Sequence, residues 1–141
     1  MKTSEETRKK IGEFEGLRLN AYLCPAKVWT IGYGHTKGVT AGMVITQAQA
    51  DAFLAEDLAM AENNISMRFP GISQNKFDAM VSLAFNIGNH AFNTSTLYRK
   101  AKINPDDPTI RAQFNRWVYA KGKILPGLVK RRLWESELYF S

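Results

Sequence analysis

The sequence contains a single cysteine, Cys24, among its 141 residues. A lone cysteine forms no internal disulfide, so cysteine usage does not point to an oxidising compartment. The chain also lacks any run of about 18 apolar residues, which argues against a transmembrane helix, and its first ten residues are too polar for a secretion signal. We therefore expect a soluble chain that reaches any target outside the cytoplasm by another route or after loss of a leader segment.

The composition is that of an ordinary globular protein, because 45% of the residues are apolar and 23% are charged. A chain of this length buries roughly 68% of its unfolded surface, so it needs neither a disulfide nor a metal to fold. Nineteen Lys and Arg against thirteen Asp and Glu leave a formal charge of +6. This surplus predicts attraction to polyanions such as nucleic acid, anionic lipid or acidic wall polymers, without choosing among them.

The pattern of residues changes near position 46. Before it the chain is rich in turn residues, and Val28 to Tyr33 is typical of a short β-strand. Thr46 and Gln49 then form a capping box, which predicts a long helix near 46–67. Other helices are predicted over 7–15, from Phe77 to Gly88, from Thr94 or Ser95 to Lys102, over 109–117 and from Leu128 to Phe140.

This order of elements predicts an α+β fold in a single domain that covers 1–141. Its small N-terminal β-sheet lobe would span about 16–45, and its larger helical lobe about 46–141 together with an N-terminal helix at about 4–15. The long helix would join the lobes, with a cleft between them.

Glu15 would lie at this boundary, in the last turn of the first helix. A carboxylate at the C-terminal end of a helix is on the unfavourable side of the helix dipole, which favours its protonated form and suits a proton donor. From spacing alone, a solvated surface acid is the simpler interpretation.

The segment that starts at Glu15 brings one acid, one thiol and one hydroxyl close together in sequence. The stretches 15–22 and 30–36, with Cys24 between them, closely resemble the active-site segment of phage-type lysozymes, the endolysins of glycoside hydrolase family 24. Residues 74–88, followed by Phe92 and the segment 95–97, resemble the second signature of that family. A C-terminal block also matches, and it comprises Phe114, Trp117, Gly122, 125–128, Arg131, Arg132 and Glu135. The resemblance therefore covers about 7–140.

The resemblance implies a lysozyme-like two-lobed fold and hydrolysis of the β-1,4 bond between N-acetylmuramic acid and N-acetylglucosamine in peptidoglycan. Glu15 would be the general acid, and Thr30 would hold the water. Cys24 stands where most members of the family carry Asp, and it would act as the base for water or attack the anomeric carbon itself. A thiol is mostly protonated at pH 7 unless a cation such as Lys27 lowers its pKa. We favour the water route, which predicts inversion and a separation of roughly 6.5 to 9.5 Å between acid and base.

Three further positions, Thr36, Phe85 and Ser95, match residues that contact the glycan in members of the family. Phe85 also lies on the apolar face of its predicted helix, so packing in the core explains it equally well. His35 is better explained as a structural histidine that supports the loop around Glu15. Neither a cofactor nor a metal is expected.

The resemblance also implies peptidoglycan as the partner, with no nucleic acid and no stable membrane anchor in this chain. The protein would accumulate as a monomer in the host cytoplasm and act on the periplasmic wall. It would reach the wall through a holin-like membrane lesion or after release of an N-terminal anchor. Two alternatives stay open: lytic transglycosylase cleavage by Glu15 alone, and a catalytically inactive homologue that binds cell wall.

Overall fold

The computed structural model describes residues 1–141, which form two compact units. The first unit is Glu5–Ala59, and the second is Met1–Ser4 with Met60–Ser141. The chain passes from one to the other inside its longest helix. The division of a single domain into lobes at about 16–45 and 46–141 stays a prediction.

The first unit starts with helix α1, Glu5–Glu15. Its buried side chains include Thr7 and Ile11, four positions apart and therefore on one face of the helix. The helix ends where Gly16 takes a positive φ of 80° and donates its N–H to the carbonyl of Gly12 at 2.9 Å. Glycine is the residue that adopts this left-handed closing conformation without strain. Glu15 is consequently fixed as the last helical residue.

A two-stranded antiparallel sheet follows, made of β1, Arg18–Leu23, and β2, Trp29–Gly32. The predicted strand at Val28–Tyr33 is confirmed as β2. Strand β1 was not predicted, because it lies largely at the surface and shows no buried alternation of apolar residues. The tertiary pairing, which places Tyr22 opposite Thr30, therefore creates a strand that local sequence does not indicate.

Behind the sheet, the core of the first unit is small. Ile31, Ile45 and Ala50 are buried together, and Tyr33 and Phe53 are among the half-buried side chains that pack around them. Ala50 belongs to helix α2, Gln47–Arg68, so the sheet is packed against the start of the long helix.

The start of α2 has the predicted capping box. The N–H of Thr46 donates to Oε1 of Gln49 at 2.9 Å, and the N–H of Gln49 donates to Oγ1 of Thr46 at 3.2 Å. Each bond satisfies a backbone donor that has no partner within the helix. The prediction of a helix near 46–67 is thus confirmed to within one residue at each end.

The second unit is mostly helical. Helix α3, Gln74–Ile87, packs against α7, Pro126–Tyr139. Helix α7 also packs against α6, Ile110–Phe114, which in turn packs against α5, Thr96–Ile103. Gly88 closes α3 as predicted, with a φ of 94° and its N–H bonded to the carbonyl of Ala84 at 2.8 Å. The elements are α3, Gln74–Ile87; α4, Asn89–Asn93; α5, Thr96–Ile103; α6, Ile110–Phe114; β3, Tyr119–Ala120; β4, Lys123–Ile124; and α7, Pro126–Tyr139.

Three features of this unit differ from the sequence expectation. The helix α4 and the β3–β4 hairpin were not predicted, since each is too short to show a period. The predicted helix at 109–117 ends early, at Phe114. Beyond it the chain turns into the hairpin, where the carbonyl of Val118 accepts the N–H of Leu125 at 3.0 Å. The mostly helical chain with small sheets nevertheless confirms the α+β class.

A buried ionic cluster links α3 to α7. Oε2 of Glu135 accepts the hydroxyl hydrogen of Ser82 at 2.5 Å and lies 3.3 Å from Nε of Arg131, while Oε1 lies 3.2 Å from Nε of Arg132. Burial raises the pKa of the Glu135 carboxyl, and Arg132, Arg131 and the Ser82 hydroxyl oppose that rise. These contacts hold the two helices in one register.

Candidate active site

Glu15 lies beside a tight turn that begins at the end of β2. Ile31 and His35 exchange both of their backbone hydrogen bonds at 2.9 Å, and Gly32 and Gly34, in between, have φ values of 65° and 85°. A methyl group added to Gly34 would lie 3.8 Å from Oε2 of Glu15. The turn therefore presents bare backbone next to the carboxylate, as the paired glycines of the sequence indicate.

His35 fixes this turn to the long helix. Its Nδ1 lies 2.8 Å and 3.0 Å from the two carboxylate oxygens of Asp57, and its ring stacks on Phe53 with centroids 4.1 Å apart. A carboxylate only accepts hydrogen bonds, so the imidazole N–H is the donor. The side chain is buried, and these contacts agree with the structural role predicted for it.

Cys24 follows β1 and starts the loop to β2. Its N–H donates to the carbonyl of Val28 at 3.1 Å, and its own carbonyl accepts the N–H of Lys27 at 2.7 Å. The pKa of the thiol lies below its ordinary value, chiefly because the backbone N–H of Val28 donates to the sulfur. The N–H of Ala26 and the hydroxyl of Thr30 act in the same direction, and desolvation opposes them. The sequence suggested a cation such as Lys27 as the group that lowers this pKa, whereas in the structure hydrogen-bond donors lower it.

Thr30 lies on β2 and is buried. Its hydroxyl donates to the carbonyl of Val28 at 2.9 Å. A hydroxyl has one hydrogen, so stabilising an ionised Cys24 requires Thr30 to turn that hydrogen from Val28 towards the sulfur. The Thr30 hydroxyl can therefore donate to the carbonyl of Val28 when Cys24 is neutral and to the thiolate when Cys24 is ionised.

The three residues predicted to contact substrate are divided between the units. Thr36 is exposed in the first unit, next to His35, while Phe85 and Ser95 belong to the second. Ser95 caps α5: its Oγ accepts the N–H of Tyr98 at 3.1 Å and donates to the carbonyl of Phe92 at 2.6 Å. The hydroxyl hydrogen of Ser95 is therefore already donated to a backbone carbonyl of the protein. The substrate roles of Thr36, Phe85 and Ser95 stay predictions.

Ser95 also borders a cavity of about 520 Å³ in the second unit. The sequence predicted none of the other residues around this cavity as site residues. Two signals were available, because Trp117 lies in the C-terminal block of the resemblance and Thr96 lies in the segment 95–97 of its second signature. The cavity is lined by His90, Ala91, Thr94, Ser95, Thr96, Gln113, Arg116 and Trp117.

The sequence model described as phage lysozyme matches residues 12–135. The endolysin of Acyrthosiphon pisum secondary endosymbiont phage 1 is 48% identical, over 100% of this chain and 99% of that protein.

Solved structures agree with the sequence matches. The muramidase domain of SpmX from Asticaccaulis excentricus superposes with a TM-score of 0.89 at 34% identity, covering 99% of this chain and 98% of that one. A variant of P22 lysozyme gives a TM-score of 0.89 at 35% identity, with 100% and 99% covered. These matches confirm the lysozyme-like fold that the sequence predicted.

Proposed function

Because this chain belongs to the phage lysozyme family, and with it to the glycosidase-type cell-wall hydrolases, we propose that it is an endolysin that hydrolyses the β-1,4 bond between N-acetylmuramic acid and N-acetylglucosamine. One structural relative is named a muramidase domain, which supports the choice of bond. The observation on which the proposal depends most is the position of Glu15. It ends α1 beside the Gly34 turn, in the same unit as Cys24 and Thr30.

Glu15 is the general acid of the proposed reaction. Cleavage of the glycosidic bond requires an acid that protonates the leaving oxygen as the oxocarbenium-like transition state forms. Glu15 is the last residue of α1, whose end Gly16 closes, and it lies beside the turn that His35 ties to α2. Bare backbone at Gly34 leaves room for a sugar beside the carboxylate.

Cys24 and Thr30 activate and position the water in this mechanism. The donors that lower the pKa of Cys24 increase its thiolate fraction near neutral pH. The thiolate takes a proton from water, which attacks the anomeric carbon on the face opposite to Glu15, and the anomeric configuration is inverted. Thr30 completes the site because its oxygen can accept a hydrogen bond from that water while its hydrogen remains with the protein.

Thr36, Phe85 and Ser95 contact the glycan in this proposal, and no cofactor takes part. Peptidoglycan is the substrate, and a holin-like membrane lesion gives the monomeric enzyme access to it from the host cytoplasm. The structure contains no helix that combines the length and the apolar character needed to cross a membrane.

The test is clearing of Gram-negative cells whose outer membrane has been permeabilised. The purified chain is compared with Glu15→Gln and Cys24→Ser, and the released fragments are identified by mass. We expect wild type to release fragments with a reducing N-acetylmuramic acid end and both variants to lose most activity. Glu13→Gln, an exposed acid two residues before Glu15, is the matched control and should keep full activity.

The alternatives give other results in the same assay. Fragments with a 1,6-anhydro end would mean that the 6-hydroxyl of muramic acid replaces water, as in a lytic transglycosylase. Binding to walls without clearing would mean an inactive homologue. Cys24→Asp adds a further check, because a carboxylate at this position should restore the activity that Cys24→Ser loses.

A further inference from the structure

The positive charge of this protein is concentrated in one segment. Residues 108–134 contain seven of the nineteen basic residues and none of the thirteen acidic ones. The remainder of the chain has twelve basic residues against thirteen acidic ones, so its formal charge is −1. The whole surplus of +6 therefore comes from the segment that forms α6, the β3–β4 hairpin and the first half of α7.

Three of the seven basic side chains make charge or ring contacts with other residues of the protein. Arg131 and Arg132 are buried with Glu135, and Arg111 lies over the ring of Phe140 at 5.2 Å. The other four are exposed and form no ion pair with a carboxylate: Arg116, Lys121, Lys123 and Lys130. Unpaired cations of this kind create a surface potential that attracts anions.

The hairpin places two large apolar side chains in the middle of these charges. Tyr119 pairs with Ile124, so the two side chains lie on the same face of the ribbon, and they are 61% and 56% exposed. Lys121 and Gly122 form the two-residue turn, both with positive φ. The tip of the hairpin therefore has an apolar face bordered by Lys121 and Lys123.

Helix α7, which follows the hairpin directly, carries further exposed apolar side chains. Leu125, Val129 and Leu133 are four positions apart, which places them along one side of the helix, and they are between 42% and 51% exposed. The buried side chains of the helix, including Arg132 and Tyr139, adjoin this row, since Arg132 is three positions after Val129. The N–H of Leu125 bonds to Val118 and that of Val129 to Leu125, so the backbone connects hairpin and helix directly.

We propose that the 119–133 surface, made of the hairpin, the exposed side of α7 and the four free cations, binds reversibly to an anionic phospholipid bilayer. The apolar side chains of Tyr119, Ile124, Leu125 and Val129 enter the boundary between headgroups and acyl chains. The cations Arg116, Lys121, Lys123 and Lys130 remain at the level of the lipid phosphates. This is the arrangement of an interfacial binding surface, which lies on a membrane and does not span it.

The apolar residues decide between a bilayer and a soluble polyanion. A polysaccharide or nucleic acid satisfies the cations equally well, but it leaves the exposed aliphatic side chains of this segment in water. Contiguous exposed apolar patches bordered by charge are typical of binding surfaces for proteins or membranes. A bilayer with anionic headgroups uses the charges and the aliphatic side chains together, which a soluble polyanion does not.

The experiment is sedimentation of the purified full chain with vesicles. One set contains phosphatidylcholine alone, and the other contains phosphatidylcholine with one quarter phosphatidylglycerol. We expect binding to the anionic vesicles alone, and less of it as salt rises. Each lysine near an anionic membrane contributes about fivefold to partitioning, so Lys121→Gln with Lys123→Gln should weaken binding about 25-fold.

Matched variants elsewhere in the chain show whether binding depends on this surface or only on total charge and exposed apolar area. Lys9→Gln with Lys37→Gln removes the same charge from the first unit and should change binding less than threefold. Ile124→Ser with Val129→Ser should weaken binding at least tenfold, whereas Met67→Ser with Ile103→Ser, which are also highly exposed, should leave it unchanged. Circular dichroism of each variant shows whether it is folded.

A second readout does not depend on losing an interaction. Tyr119→Trp should show a blue-shifted emission and quenching by brominated lipid in the anionic vesicles, and Ile103→Trp should show neither. The proposal is wrong if wild type does not bind these vesicles or if both lysine pairs weaken binding equally. It is also wrong if the serine variants bind as wild type does, because the surface would then recognise a polyanion by charge alone.

Discussion

Nδ1 of His35 lies 2.8 Å from Oδ2 of Asp57, although 22 positions separate the two residues in the chain. The bond connects the turn beside Glu15 to the long helix α2. His35 is buried and stacks on Phe53, so it has few alternative orientations. The turn that lies beside the proposed catalytic acid is therefore anchored by a contact that is remote in sequence.

We expect His35 and Asp57 to be energetically coupled. A hydrogen bond to a carboxylate is stronger than a neutral one, and here the imidazole is buried while the carboxylate is partly exposed. A double-mutant cycle with His35→Ala and Asp57→Ala should give a coupling of about 1 to 3 kcal/mol in urea unfolding. A coupling near zero would show that stacking on Phe53 alone positions the ring.

Gly34→Ala should lower clearing activity by more than its loss of stability explains. Gly34→Ala and Gly38→Ala each place an alanine at a positive φ, of 85° and 72°, so each should destabilise by about 1 to 2 kcal/mol. Only the methyl group at position 34 approaches Glu15. We expect a loss of clearing activity for Gly34→Ala and near wild-type activity for Gly38→Ala, assayed well below their unfolding temperatures. Equal activities would mean that this turn does not border the reacting sugar.

Ser82 should be important for the stability of the second unit. Its hydroxyl donates to the buried carboxylate of Glu135 at 2.5 Å. Ser82→Ala removes this donor from Oε2 of Glu135 and should lower the free energy of unfolding by about 1 to 3 kcal/mol. Ser136→Ala is the control, because Ser136 is equally buried but donates only to a carbonyl of its own helix, that of Leu133. That variant should change the free energy of unfolding by less than about 0.5 kcal/mol. Equal losses would mean that tight packing at both serines is what matters.

Cys24 should react at a lower pH than an ordinary thiol. Since hydrogen bonds from the loop lower its pKa in the folded chain, the thiolate forms at a pH where the unfolded chain still has a neutral thiol. The rate of alkylation by iodoacetamide, measured against pH, should have its midpoint below that of the same chain in urea. Thr30→Val should move the midpoint upwards, and Thr36→Val should not. An unchanged midpoint in Thr30→Val would assign the effect to the backbone donors alone.

Oxidation of Cys24 provides a related test. A sulfenic or sulfinic acid no longer acts as the proposed base, so mild peroxide should stop clearing by wild type. Cys24→Asp should be insensitive to the same treatment. Loss of activity in both proteins would point to another oxidised residue.

Several local features of the fold were predictable because short-range chemistry determines them. The capping box at Thr46 and Gln49, the end of α1 at Gly16 and the end of α3 at Gly88 each depend on residues that are close together in sequence. The apolar periods of α2 and α3 indicated both helices, and the limits of α2 were predicted well, whereas α3 begins at Gln74, three residues before the predicted start at Phe77. The elements that were missed, β1, α4 and the β3–β4 hairpin, are short or exposed, so none of them shows a clear period in the sequence.

For the proposed site, the sequence by itself determined which groups are available: one carboxylic acid at a helix end, one thiol and one hydroxyl, with glycines that permit a tight turn. It also determined a charge surplus confined to residues 108–134. The tertiary structure decided how these groups are used. It placed Gly34 beside Glu15, anchored His35 to Asp57 and gave Cys24 hydrogen-bond donors in place of a cation. The physical reason is that hydrogen bonding and packing depend on distances in space, which pairing between remote segments determines and which spacing along the chain does not.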